Sequence, residues 1–93
     1  MHAHWYVARM QTGTRATRAS VRLRTAQFRR YAEARGLSSD IEIAAHTGLA
    51  RTTVFRLLRG DVDPGERIIA AFLAAFPDRH FEDIFEIALE EAA

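Results

Sequence analysis

Ninety-three residues with 48% hydrophobic content are enough for one modest core and leave no room for a second. The chain has no cysteine, which excludes a disulfide framework, a thiolate metal site and a cysteine nucleophile, and fits a reducing cytoplasm. Its net charge of +1 hides an asymmetry: residues 1–60 carry eleven arginines against Glu33, Asp40 and Glu42, a balance of +8, whereas residues 61–93 carry Arg67 and Arg79 against nine acids, a balance of −7. The basic half suits a polyanion, because displacing condensed counterions from phosphates supplies binding energy whatever the base sequence. The acidic half must then face away from it.

Residues 1–20 show no sustained period and mix Thr, Ala, Arg and Gly, so they read as an irregular arm, with Met10 a second candidate start. His2, His4 and Trp5 stand where a secretory signal would place a basic region and an apolar stretch. His2 and His4 share a face of extended chain, but with no third ligand nearby they do not read as a metal site. Residues 21–93 read as the single folded domain. Val21 to Arg24 alternates apolar and polar, as a short extended segment does.

Thr25 offers an N-cap hydroxyl for a first helix that carries Phe28, Tyr31 and Ala32 at helical spacing and stops at Gly36. Ser39-Asp40-Ile41-Glu42 is a capping box, placing a second helix at about 40–46, with His46 near its negative end. Gly48 follows closely, and a third helix at about 50–58 turns Val54, Leu57 and Leu58 inward before Arg59-Gly60 ends it. Asp63-Pro64-Gly65-Glu66 reads as the start of a fourth helix, with Asp63 as cap and Pro64 at the first position. Ile68, Ile69, Phe72, Leu73 and Phe76 make that helix the most apolar, yet its unbroken run of nine residues falls well short of the ~20 that span a membrane.

After Pro77-Asp78, the spacing of Phe81, Ile84, Phe85, Ala88 and Leu89 favours a fifth helix. Phe85 to Leu89 also alternates at period two, which admits a helical turn passing into a short strand paired with residues 21–24. Glu82, Asp83, Glu86, Glu90 and Glu91 read as a solvated helix face. No nucleophile triad, phosphate-cradling glycine loop or paired-carboxylate pocket is present, so the chain does not read as an enzyme and calls for no cofactor.

Two short helices joined by a three-to-four-residue turn that contains glycine form the helix-turn-helix unit. Ile41 to Leu58 has its requirements: small Ala44 where the helices cross, Gly48 for a positive φ in the turn, and Val54 facing the interior. The run from Gly36-Leu37-Ser38 through Ile43-Ala44-x-x-x-Gly48-Leu49-Ala50-Arg51-Thr52-Thr53-Val54 to Arg59-Gly60-x-x-x-Pro64 resembles the Cro/repressor-type (XRE-like) helix-turn-helix family over roughly residues 25–76. The chain departs from the family pattern at Ala50, where Ser or Thr is usual, at Leu58, where Glu is frequent, and at acidic Asp61 and Asp63 after Gly60. The resemblance implies an all-α, compact, lambda-repressor-like domain of four to five helices, with 50–58 as the recognition helix.

By the same resemblance Arg51, Thr52 and Arg56 read base edges, flanked by Thr53 and Phe55. Their chemistry agrees: arginine presents a fork matched to guanine, and threonine meets a base, a phosphate or a thymine methyl. Ser39, at the start of the second helix, and Arg59, in the turn before the fourth, are the expected phosphate contacts. Arg29, Arg30 and Arg35 on the first helix read first as a generic solvated face, with long-range attraction to a polyanion as the alternative. Arg15 and Arg18 are candidates to enter a minor groove, although a plain leader is the simpler reading. The partner expected is double-stranded DNA, bound as an inverted repeat by a homodimer that pairs through Phe81, Ile84, Phe85, Ile87 and Leu89, unless those residues complete the monomer core. The function that follows is a sequence-specific transcriptional regulator, most simply a repressor. The competing reading is an antitoxin-like protein whose acidic C-terminal segment holds a protein partner while the helix-turn-helix autoregulates.

Overall fold

The computed structural model describes residues 17–91. In chain order it runs β1 (Thr17–Leu23), α1 (Thr25–Ala34), α2 (Asp40–Thr47), α3 (Arg51–Arg59), α4 (Glu66–Ala75), a single helical turn α5 (Phe81–Ile84) and β2 (Phe85–Glu91). Five helices therefore carry the domain, and β1 pairs antiparallel with β2 to clasp its two ends, in register from Thr17 opposite Glu91 to Leu23 opposite Phe85. Among the described residues no helix is long and apolar enough to cross a membrane.

Four phenylalanines form the centre of the core. Phe28, Phe72, Phe76 and Phe85 are each at most 1% exposed. Phe72 lies 5.1 Å from Phe28, 6.2 Å from Phe76 and 5.9 Å from Phe85 between ring centroids, and Phe28 lies 5.4 Å from Phe76. Tilted and edge-on rings at these separations pair the positive edge of one ring with the negative face of the next. The cluster joins α1, α4 and β2, and the buried Ile43, Ala44, Val54 and Leu57 bring α2 and α3 onto the same core.

Most element boundaries follow the capping chemistry. Ser39 Oγ accepts from Glu42 N at 3.1 Å and the Glu42 carboxylate accepts from Ser39 N at 3.1 Å, which completes the capping box of α2. Gly48 ends α2 at φ 78°, a left-handed conformation in which a Cβ would be strained. Gly60 ends α3 in the same way, at φ 80°. The Asp61 amide then donates to Arg56 O at 2.9 Å and the Gly60 amide to Leu57 O at 3.1 Å, the paired bonds of a Schellman motif.

Four expectations require correction. Thr25 is the first residue of α1 rather than its cap, and its Oγ1 donates back to Leu23 O at 3.4 Å. Arg24 fixes that junction instead: its amide donates to Ile84 O at 2.8 Å and its Nε to Glu82 O at 3.0 Å. Asp63 does not cap α4, which starts two residues later than expected, behind Gly65, because Pro64 is buried in the approach and the Asp63 carboxylate lies 3.5 Å from Arg22 Nε.

The fifth helix stops after one turn and the alternating reading prevails, since residues 85–91 pair with β1. Changing from helical to extended backbone at that point buries the consecutive residues Ile84 and Phe85 together, at 1% and 0% exposure. Lastly, β1 begins at Thr17, four residues before the expected boundary, so Arg18 sits opposite Glu90 instead of on an arm. Arg15 and residues 1–16 lie outside the described residues.

Replacing Phe72, which touches three other buried rings, by Ala should lower the unfolding free energy by about 3–5 kcal/mol, measured by denaturant titration.

Candidate nucleic-acid interface

The turn from Gly48 to Ala50 connects α2 to α3 in three residues. Val54, Leu57 and Leu58 anchor one side of α3 in the core. A helix with 3.6 residues per turn then carries Thr52, Phe55, Arg56 and Arg59 outward in one stripe, at i, i+3, i+4 and i+7, with Arg51 beside its start. All five are exposed. Thr53 is half-buried and turns toward α4, where it lines a groove with Leu49, Gly65 and Arg67.

The arginines divide into two groups. Arg22, Arg24, Arg29, Arg35, Arg59 and Arg79 each have a carboxylate within 4.0 Å. Among the described residues Arg51 and Arg56 have none, and neither do Arg18, Arg30 and Arg67. On helix α1 two of the three arginines carry such a pair at the surface. Arg29 neutralises Asp40 at 3.3 Å, and Arg35 reaches Asp78 at 3.2 Å while its guanidinium lies 5.5 Å from the centre of the Tyr31 ring.

Neutralising Asp40 has a consequence at the start of α2. Asp40 shares a groove with Ile41, Arg51, Thr52 and Phe55, and its charge would otherwise oppose an anion there. Ser39 is exposed beside it; its oxygen caps α2 and its hydroxyl proton is left to donate outward. Arg59 is held by Asp61 at 3.4 Å and lies 5.1 Å from the centre of the Phe55 ring, so it braces the aromatic side chain. The same pair offsets the acidity of the loop after Gly60. Ala50 makes no side-chain cap, which leaves the first amides of α3 unsatisfied by side chains.

Ile41 was not among the residues the sequence singles out, yet it is 58% exposed and lines this groove with Phe55, which is 46% exposed. Beside Ile43 and Ala44 it reads as one more residue of the buried stripe, and only the packing of α2 separates it from them. Arg67 was likewise passed over, because nothing in its local sequence links the first turn of α4 to Gly48 and Thr53.

No family model, no curated protein and no solved structure matches this chain.

The cap that orients α2 depends on pH. The amides of Ser38 and Ser39 both donate to the Glu42 carboxylate, at 2.9 and 3.1 Å, and hold its pKa below the ordinary glutamate value. The Tyr31 hydroxyl acts likewise on Asp78, with Arg35 and Arg79 adding to it. A carboxylate whose pKa is depressed by folding contributes stability that is complete above its unfolded pKa and lost as pH falls through the folded one. The melting temperature should therefore drop on acidification below the ordinary carboxylate range. Glu42→Gln should flatten that drop, and Asp78→Asn should flatten it further, as followed by thermal denaturation across pH.

Proposed function

We propose that this chain is a sequence-specific DNA-binding regulator with a lambda-repressor-like domain, in which α3 enters the major groove of an inverted-repeat operator and two copies share the site. The observation that carries the reading is the outward stripe of α3: Arg51, Thr52, Phe55 and Arg56 are exposed, and both arginines lack an ion-pair partner among the described residues while six other arginines have one. A charged side chain that stays unpaired in so ion-paired a molecule is available to a ligand, and a stripe of arginine, threonine and an aromatic ring has the donors and apolar contacts that read base edges.

In this reading Arg51, Thr52 and Arg56 touch bases, while Ser39, Arg59 and the first amides of α3 set the register on phosphates. Phe55 and Ile41 form an apolar wall suited to a thymine methyl. The role is non-catalytic, needs no cofactor, and belongs in the cytoplasm, most simply in repression. The antitoxin-like alternative asks for a free acidic C-terminal segment, and this is where the two readings part. Glu86 lies 3.5 Å from Arg24 and Glu90 stands in register with Arg18, so that segment is less free than its composition suggests.

Binding to a selected duplex should weaken linearly in log affinity against log salt, as phosphate neutralisation requires. Arg51→Ala and Arg56→Ala should each cost about 1–3 kcal/mol on the preferred duplex and relax the preference at separate base pairs. A uniform loss on all sequences would make them phosphate contacts, and no binding to any duplex pool would end the DNA reading.

Replacing single thymines of the selected duplex by uracil removes only the methyl group. At one position the wild type should lose affinity while Phe55→Ala should not, as read by fluorescence anisotropy. Equal losses in both proteins would remove Phe55 from base recognition.

A further inference from the structure

The β1–β2 ribbon has two chemically different faces. Side chains alternate along each strand and partners in register share a face, so Ala19, Val21 and Leu23 lie with Leu89, Ile87 and Phe85 on one side. The other side pairs Arg18 with Glu90, Ser20 with Ala88 and Arg22 with Glu86. The charged face thus sets opposite charges across from one another in register, while Arg22 reaches Asp63 and Glu86 reaches Arg24. The apolar face is covered only at its base: Phe85 is fully buried and Leu23 and Val21 pack on the core, whereas Ile87 is 56% and Leu89 69% exposed, and Ala19 is exposed beside them. At that base the ribbon meets α4 through the Phe72 and Phe85 rings, 5.9 Å apart.

We propose that this outer apolar face is where two copies of the chain pair, ribbon stacked on ribbon about a two-fold axis. This refines the two-fold reading of the operator and rests on it only for its purpose, since the surface is defined by the strands alone. Three features fit a second copy as the occupant.

A two-fold contact must be self-complementary, with residue i meeting j and j meeting i. Here the largest exposed side chain, Leu89, is level with the smallest, Ala19, so the leucine of one ribbon seats over the alanine of the other, with Val21 and Ile87 packed beside them. The four side chains of the patch, Ala19, Val21, Ile87 and Leu89, carry no charge, and the next pair along this face is Thr17 with Glu91 at the outer end of the ribbon.

The remaining two-fold arrangement, edge to edge, is disfavoured by the same charges. Full-length antiparallel pairing of β1 with its copy centres on Ser20 and sets Arg18 against Arg22, and that of β2 centres on Ala88 and sets Glu86 against Glu90. Like charges directly opposite destabilise a ladder. Face-to-face stacking avoids both clashes and covers a two-stranded sheet, which is marginal when one face stays in water.

The test is the solution mass of the whole chain without DNA, by sedimentation equilibrium over a concentration series, so that its failure is distinct from any failure of DNA binding. The wild type should reach the two-copy mass. Leu89→Lys should raise the dissociation constant by at least about a hundredfold, because each dimer buries two of these leucines. Its far-UV circular dichroism and melting temperature at a concentration where both proteins are monomeric should match the wild type, since an exposed side chain is changed.

The absence of cysteine allows a geometric check. Mixing Ala19→Cys protein with Leu89→Cys protein under oxidation should give a cross-linked pair carrying one chain of each. A wild type that stays at one-copy mass at its highest soluble concentration overturns the proposal. So does a Leu89→Lys variant that still pairs with wild-type affinity, or an absence of the mixed cross-link.

Discussion

Phe72 occupies the centre of this molecule, and the placement of every other element follows from the rings around it. It projects from α4 with Phe28 of α1, Phe76 just past the end of α4 and Phe85 of β2 within 6.2 Å, ring to ring. Because α1 begins directly after β1 and Phe85 opens β2, gathering these rings also brings both ends of the described chain together. The ribbon is thus closed by the core and not by a hairpin turn, which is why strands separated by the whole domain find one register. The remaining faces of the cluster are closed by α2 and α3 through Ile43, Val54 and Leu57, and that contact leaves the stripe of Thr52, Phe55 and Arg56 turned away from the core. Exposure of the candidate interface is in this sense a by-product of packing: the face of α3 that cannot be buried is the one that carries arginine.

Much of this was legible in the residues. Helical spacing and the Ser39–Glu42 box located α2, the Gly48 turn and α3 to within a residue or two, because each of those signals acts over a few neighbouring positions. What was misread depends on partners far along the chain. Asp63 has the chemistry of a cap and is withdrawn from that role by Arg22, forty-one positions earlier. Residues 85–91 have a helical period and a strand period at once, and the choice is made by β1, which no local window contains. Thr17 to Ser20 carry no apolar alternation strong enough to announce a strand; they are extended because β2 is. At the candidate interface, the stripe of α3 could be read from spacing, whereas the exposure of Ile41 and the neutralisation of Asp40 by Arg29 required the packing of α1 against α2.

The charge asymmetry along the sequence resolves differently in space. An acidic C-terminal third suggests a surface held away from a polyanion, yet four of its carboxylates face arginines of the basic part: Asp61 faces Arg59, Asp63 faces Arg22, Asp78 faces Arg35 and Glu86 faces Arg24. Exposed pairs of this kind add little stability, typically 0–1 kcal/mol each by general experience. Their effect here is on the distribution of charge. They cancel Arg22 of β1, Arg24 at the β1–α1 junction and Arg35 at the end of α1, and leave Arg51 and Arg56 as uncompensated positive groups on α3. A molecule of nearly zero net charge thereby keeps a local positive surface at the face where the proposed ligand is most highly charged.

The same ion pairs tie the ribbon to α3. Arg22, at the base of β1, holds Asp63 at 3.5 Å, and a cleft lined by Leu23, Leu57, Gly60 and Val62 runs between the strand and the end of α3. Leu57 is fully buried, and the Gly60 turn is fixed by its paired backbone bonds, so the short path from the ribbon to α3 crosses no long connection. Arg24 closes the other side, bonding to Glu82 O and Phe85 O across the junction where α5 becomes β2. These contacts place the base of the ribbon beside the end of α3. In the proposed dimer, the stacking of two ribbons would then set the distance and angle between two copies of α3, and with them the spacing of half-sites that a single copy has no means to measure. The outer residues Ile87 and Leu89 stay exposed in one chain, and at the far end of the ribbon they are where a small apolar contact between copies would bear on the geometry of reading.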